Sequence, residues 1–329
     1  MSDFTALTDL AAERLGGAVI AANDEFFAPK EGLLKAGPAV WKEGEYTERG
    51  KWMDGWETRR RREPGHDWAI IRLGAPGVVR RVVVDTAFFR GNYPEHCSIE
   101  GSDVQGIVSA ERLESAAWYP LVSKSPLQGD SKNVFPSHVA RRTSYVRLNI
   151  FPDGGVARLR VHGEVVPDWD HLLASGGWLD LAALEHGGRV LSQSDMFFGN
   201  AGNMLLPGRS THMGDGWETK RRRGPGHDWA VIRLGRPGRI NRIEVDTDHF
   251  KGNAPGSVSF EAVLAGDDAL ATAHWTPLLG EAKLQPHARH GWEKELAQAG
   301  DVSHVRINIF PDGGVARLRL FGTATAAAR

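Results

Sequence analysis

A single cysteine, Cys97, stands among 329 residues. One thiol forms no intrachain disulfide, so the chain does not read as a disulfide-stapled secreted domain. No stretch approaches the roughly 18 consecutive apolar residues of a membrane helix. The N-terminal MSDFTALTDLAAERLGG carries acids and lacks an apolar signal core, so a cytoplasmic location is expected. An excess of charge of one sign is also missing: 40 Lys and Arg face 41 Asp and Glu, for a formal net charge of −1. That balance gives no general pull toward nucleic acid or an anionic membrane, and neither is expected as a partner. Absent as well are His-Glu-x-x-His, Cys-x-x-Cys, a P-loop and a serine nucleophile elbow.

Glycine, in contrast, is abundant, with 39 residues, which suits a fold with many turns. The chain also repeats itself. DGWETRRRREPGHDW at Asp54–Trp68 returns as DGWETKRRRGPGHDW at Asp215–Trp229. DLAAERLGGAVIAANDEFF (Asp9–Phe27) pairs with DLAALEHGGRVLSQSDMFF (Asp180–Phe198), and RLNIFPDGGVARLR (Arg147–Arg160) with RINIFPDGGVARLR (Arg306–Arg319). The spacing between copies shortens along the chain, which places extra residues in the first copy near Lys35–Arg49. A repeat this long means two homologous domains rather than a solenoid. The expected division is a first domain at 1–166, a linker at 167–177 headed by Pro167 and closed by Gly176-Gly177, and a second domain at 178–329.

Within each copy the apolar pattern has period two. In YVRLNIF, Val146, Leu148 and Ile150 face one way and Arg147 and Asn149 the other; Val305, Ile307 and Ile309 repeat this. Leu159 and Val161 alternate likewise. DWAIIRLG and RRVVVDT are strand-length runs, and helical periodicity is confined to short segments at Asp9–Leu15 and Asp180–Glu185. Short strands joined by polar loops predict an all-β chain of two tandem β-sandwiches of the jelly-roll type.

Three polar loops recur, and strand ends in a sandwich can present such loops together. The first holds Asp54, Glu57, the arginine run Arg59–Arg62, His66 and Asp67. The second holds Asp85, Thr86, Arg90, Gly91 and Asn92. The third is FPDGG with Asp153. Each has a plain reading: a solvated charge run with some internal ion pairing, a histidine capping a strand, tryptophans packing the core, a proline–glycine turn. In combination they suit chemistry. Arginine forks bind carboxylates, acids accept paired N–H groups, and histidine moves protons near neutral pH. Such a set fits a small, planar, nitrogen-rich carboxylate. Ligand spacing does not support a divalent metal, and no cofactor is expected.

These segments, DGWET[RK]RRR..GHDW, VDT..F.GN.P and R.NIFPDGG.AR.R, closely resemble the allantoicase (allantoate amidinohydrolase) family over nearly the whole chain. The resemblance implies jelly rolls of the galactose-binding-like type and hydrolysis of allantoate to ureidoglycolate and urea in purine degradation. On that chemistry His66 with Asp67, and His227 with Asp228, are the expected catalytic proton-transfer pairs. Arg60 or a neighbour would hold the carboxylate, and Asp54 or Glu57 the ureido N–H groups. Asp215, Glu218 and Arg221 offer the same in the second copy. Asn92 and Asn253, turn residues by default, are further substrate-binding candidates. Both copies keep the set, so one site or two stays open. A homo-oligomer is the expected assembly. The competing class is a non-catalytic module binding a small ligand or carbohydrate.

Overall fold

The computed structural model describes residues 7–325. The chain divides into two compact units, with the boundary in the chain between Pro167 and Asp168. Each is built around one unusually long strand, Asp67–Asp85 in the first and Asp228–Asp246 in the second. The runs DWAIIRLG and RRVVVDT, which read as separate strands, are the two ends of this single element.

The long strand serves two layers. Its first part, Asp67–Arg72, pairs antiparallel with Arg142–Phe151 on one side, Ile150 opposite Asp67 and Tyr145 opposite Arg72. On the other side it pairs with Ala18–Ala22. Strands His96–Ser102 and Tyr119–Pro126 continue this layer outward. The second part, Val78–Asp85, pairs with Arg158–Val165 and with Lys132–Pro136, and Thr8–Asp9 adds to that layer's edge. Sandwich corners of this kind form where a strand bends from one sheet into the next.

The bend is written in LGAPG. Between Arg72 and Gly77 the register against Arg142–Phe151 slips, and Pro76, which has no N–H to give a ladder, falls inside the slip. A side chain at Gly77 would come 2.2 Å from the Glu164 carbonyl oxygen, so only glycine lets the backbone at the bend run this close to the neighbouring strand Arg158–Val165.

The alternating residues fill the space between layers. Val146, Leu148, Ile150, Leu159 and Val161 are all fully buried. In the second unit Val305, Ile307, Ile309, Leu318 and Leu320 join Ile243, Val245 and Phe260 in one core. Fully burying such a side chain contributes about 1.5–3 kcal/mol. The outer face of the first unit's larger layer carries a smaller cluster of Ile70, Tyr145 and Leu113, flanked by Trp68 and Trp118.

Helix is scarce, as the periodicity predicts. The segment read as a linker nevertheless folds its middle into a helix, Trp169–Ala174. Asp168 caps it by accepting from the His171 N–H at 3.0 Å, the side-chain capping that favours Asp at a helix start. Among the described residues no helix is long and apolar enough to cross a membrane.

Candidate active site in the first unit

The repeated polar loops first of all hold each other. Trp56 is fully buried and its indole N–H donates to the Asp24 carbonyl at 2.8 Å. Glu57 pairs with Gly155, the last residue of FPDGG, and Trp56 with Val156 just past it. The Gly154 N–H donates to the Thr58 hydroxyl at 3.1 Å, and the Arg61 N–H to Asp153 at 2.8 Å. FPDGG is thus a clamp on the arginine segment. The arginines divide: Arg59 pairs with Asp24 at 2.7 Å and Arg61 with Asp67 at 2.7 Å, while Arg60 and Arg62 are exposed.

This clamp presents Glu57 on the wall of a cavity of about 540 Å³, lined also by Phe27, Trp41, Lys51, Met53, Phe88, Arg90, Gly91 and Asn92. Asn92 donates from Nδ2 to Glu57 Oε1 at 2.7 Å. Its loop is anchored by Phe89, which lies so close over Gly155 that a Cβ there would sit 1.9 Å from the ring. Phe88 takes φ +68°, a region aromatic residues rarely adopt, with its N–H held by Asp130 at 2.8 Å. Glu57 is buried, and that burial raises its pKa above the ordinary 4.5, against the smaller lowering pull of the Asn92 bond.

The far wall comes from the extra residues of the first copy. Residues 35–53 lie where the second copy has only 206–214. They carry a small hairpin, Tyr46–Thr47 with Gly50–Lys51. Trp41 packs against Phe88 with ring centroids 5.7 Å apart, and the Lys51 ammonium lies 4.0 Å above the Trp41 ring. Asp54 pins this segment. It accepts from Lys35 Nζ at 2.8 Å, from the Val40 N–H at 3.0 Å and from Arg158 Nη2 at 2.6 Å. Burial would raise the Asp54 carboxyl, but these donors prevail and hold it at about 2.

The second unit keeps the acid–amide pair but has a shorter segment, 206–214, in place of 35–53. Asn253 donates to Glu218 at 2.5 Å, and the same amide lies 3.8 Å from Met213 Sδ. Asp215 pairs with Arg317 at 2.8 Å and accepts from the Thr211 N–H. By spacing, His249 stands where the first unit has Phe88, and His212 where it has Lys51.

The histidine–aspartate segments lie elsewhere. His66 rests its ring on Phe151 at 4.7 Å and does not line the cavity. Asp67 is buried, and its Oδ1 accepts from Arg61 and from Asn23 at 2.9 Å. His227 packs on Phe310 and meets Asn308 at 3.2 Å. It lines a separate groove of about 770 Å³ with Trp229, Glu261 and Arg306, where Glu261 is already engaged by Arg306. Asp228 is held by Arg222 and by Ser194, and Arg221 is exposed. Of the expected set, then, Glu57 and Asn92 share one cavity, Asp54 braces its wall, and Arg60, His66 and Asp67 stand outside it. Among the described residues no group of three His, Cys, Asp or Glu side chains is placed to hold a metal ion.

The family described as "Allantoicase repeat" matches residues 8–166 and 179–325. The chain belongs to the allantoicase family. It is 51% identical to a probable allantoicase of Pseudomonas aeruginosa strain UCBPP-PA14, covering 96% of this chain and 95% of that one. It is 46% identical to an allantoicase of Dictyostelium discoideum, over 95% of this chain and 86% of that one. The crystal structure of allantoicase from Saccharomyces cerevisiae superposes with a TM-score of 0.80 at 37% identity, covering 96% of this chain and 93% of that one. The two tandem jelly-roll units are therefore the architecture of this family. Sequence reasoning passes over Trp41, Lys51, Met53, Phe27 and Phe88 in the lining of this cavity. The usable signal is the mismatch of 35–53 with 206–214, which gives the first copy Trp41 and Lys42 in its extra residues and Lys51 and Trp52 where the second has His212 and Met213.

Proposed function

We propose that this chain hydrolyses allantoate to ureidoglycolate and urea in the cavity of the first unit, with Glu57 as the proton donor. The observation that carries the reading is a buried carboxyl on the wall of a cavity that also holds two cations and three aromatic faces. A glutamate raised by burial keeps its proton where an exposed one has lost it, and such tuning suits a general acid.

The substrate bears a carboxylate and two ureido groups on one carbon. Glu57 gives its proton to the nitrogen of one ureido group as that carbon–nitrogen bond breaks, and urea leaves. The lone pair of the other ureido nitrogen moves in to form an acylimine-like cation. Water adds to the carbon and returns a proton to the Glu57 carboxylate, completing ureidoglycolate. Asn92 orients Glu57, and aromatic faces such as Phe27 and Phe88 suit planar ureido groups. The single Cys97 is buried and its thiol pushed up to about 12 by that burial. It makes no demand for an oxidising compartment, which supports a cytoplasmic setting.

The test is urea release from allantoate by Glu57→Gln, which keeps the shape and removes the acid. A loss of about 10²–10⁴-fold in kcat is expected for a general acid. Full activity in that variant would move the reaction out of this cavity.

A further inference from the structure

The cavity contains a charge that the fold leaves unanswered. Arg90 is paired, its Nε 3.1 Å from Asp130. Lys51 has no carboxylate within ion-pair distance among the described residues; its contact is the Trp41 face at 4.0 Å. The one carboxyl lining the cavity, Glu57, is turned to Asn92. A cation held over an aromatic plane is fixed in position by the ring's negative face, and an ammonium without a carboxylate partner is free to take an anion. Among the described residues of the second unit, the matching positions carry other side chains. That unit has only 206–214 in place of 35–53, carries His212 at the position of Lys51, and sets Met213 beside its Asn253.

We infer that the Lys51–Trp41 pair of the first-unit insert is the carboxylate-selecting element of the site, and that it confines substrate turnover to one site per chain. The inference rests on the cavity being the reaction site. Lys51 takes the substrate carboxylate, which leaves the ureido-bearing carbon toward Glu57. Trp41 holds the ammonium in place and closes the cavity beside Phe88. Glu218 and Asn253 repeat the acid–amide pair without a carboxylate anchor, so the second copy of the motif keeps its loop in shape rather than a substrate in place.

The experiment compares allantoate with diureidoacetamide, its neutral carboxamide, on the full chain. Lys51→Met is expected to lower kcat/KM for allantoate by about 10- to 100-fold, the range for losing a charge-assisted hydrogen bond. Turnover of the carboxamide should stay within about twofold, so the preference between the two substrates collapses. Lys51→Arg should restore most of that preference. Lys51 is exposed, and a thermal midpoint unchanged from the parent checks that the variant is folded. A fall of equal size on both substrates, or a preference that survives Lys51→Met, overturns the assignment of Lys51. Glu57→Gln separates the two levels: it should lose activity on both substrates, and full activity there overturns the cavity as well. Calorimetric titration of Glu57→Gln with allantoate should give one site per chain, abolished by adding Lys51→Met, and two equivalent sites would overturn the confinement.

Discussion

Asp54→Ala tests the brace behind the cavity. Asp54 and Arg158 meet at 2.6 Å with both side chains 4% exposed. Removing one partner of a buried pair costs about 3–5 kcal/mol, because the other charge is left buried alone. Arg158 keeps carbonyl partners at Gly32, Gly37 and Pro38, which argues for the low end, near 3 kcal/mol. The lost Lys35 contact adds little, since the Lys35 side chain is 51% exposed. For a unit of this size about 3 kcal/mol lowers the melting temperature by roughly 6–12 °C. Differential scanning calorimetry should show that shift in one transition only, and Asp215→Ala should move the other through Arg317. Activity distinguishes them further. Asp54→Ala also releases the Val40 N–H beside Trp41, so kcat/KM for allantoate should fall at least about tenfold, while Asp215→Ala should leave it near the parent value. Two unmoved transitions in Asp54→Ala, with unchanged kinetics, would refute the brace. The pH dependence has a defined sign. The Asp54 carboxyl is held down at about 2 against an ordinary 3.8, so its stabilisation is full above 3.8 and is lost as pH falls through 2.

The remaining predictions address the site and its loops. Burial raises Glu57, so kcat/KM should fall as pH climbs through its folded pKa. Asn92→Leu removes a bond that favours the charged form, and the falling limb should move to higher pH; a shift to lower pH contradicts the assigned acid. His66→Ala, His227→Ala and the double variant should each stay within about threefold of the parent rate, whereas a drop of 10² or more would return the proton transfer to a histidine. Gly155→Ala drives a methyl group into the Phe89 ring and should destabilise the first unit by about 1–3 kcal/mol, read as a lower urea midpoint.

The sandwich was legible because its signal is local. Val146, Leu148 and Ile150 alternate with Arg147 and Asn149, and each lands on the side its position in the alternation assigns. The long strand was not, since Gly74-Ala75-Pro76-Gly77 carries the letters of a turn and only the layers on either side turn it into a bend. At the site, internal repetition points to residues both copies need. It finds Glu57 and Asn92, but it equally finds Asp54, Asp67 and Asp153, whose work is to hold loops. Trp41 and Lys51 escape it for the opposite reason: they occur once, and a comparison of copies is blind to what only one of them has.

The strand that passes through both layers has a consequence for how each unit opens. A sheet whose strands all belonged to it could peel away and leave its partner protected. Here Ile71 and Val82 lie on one continuous element and sit in different ladders, so releasing either ladder strips support from the other. Amide hydrogen exchange at the two ends of Asp67–Asp85 should then report the same opening free energy, that of the whole unit.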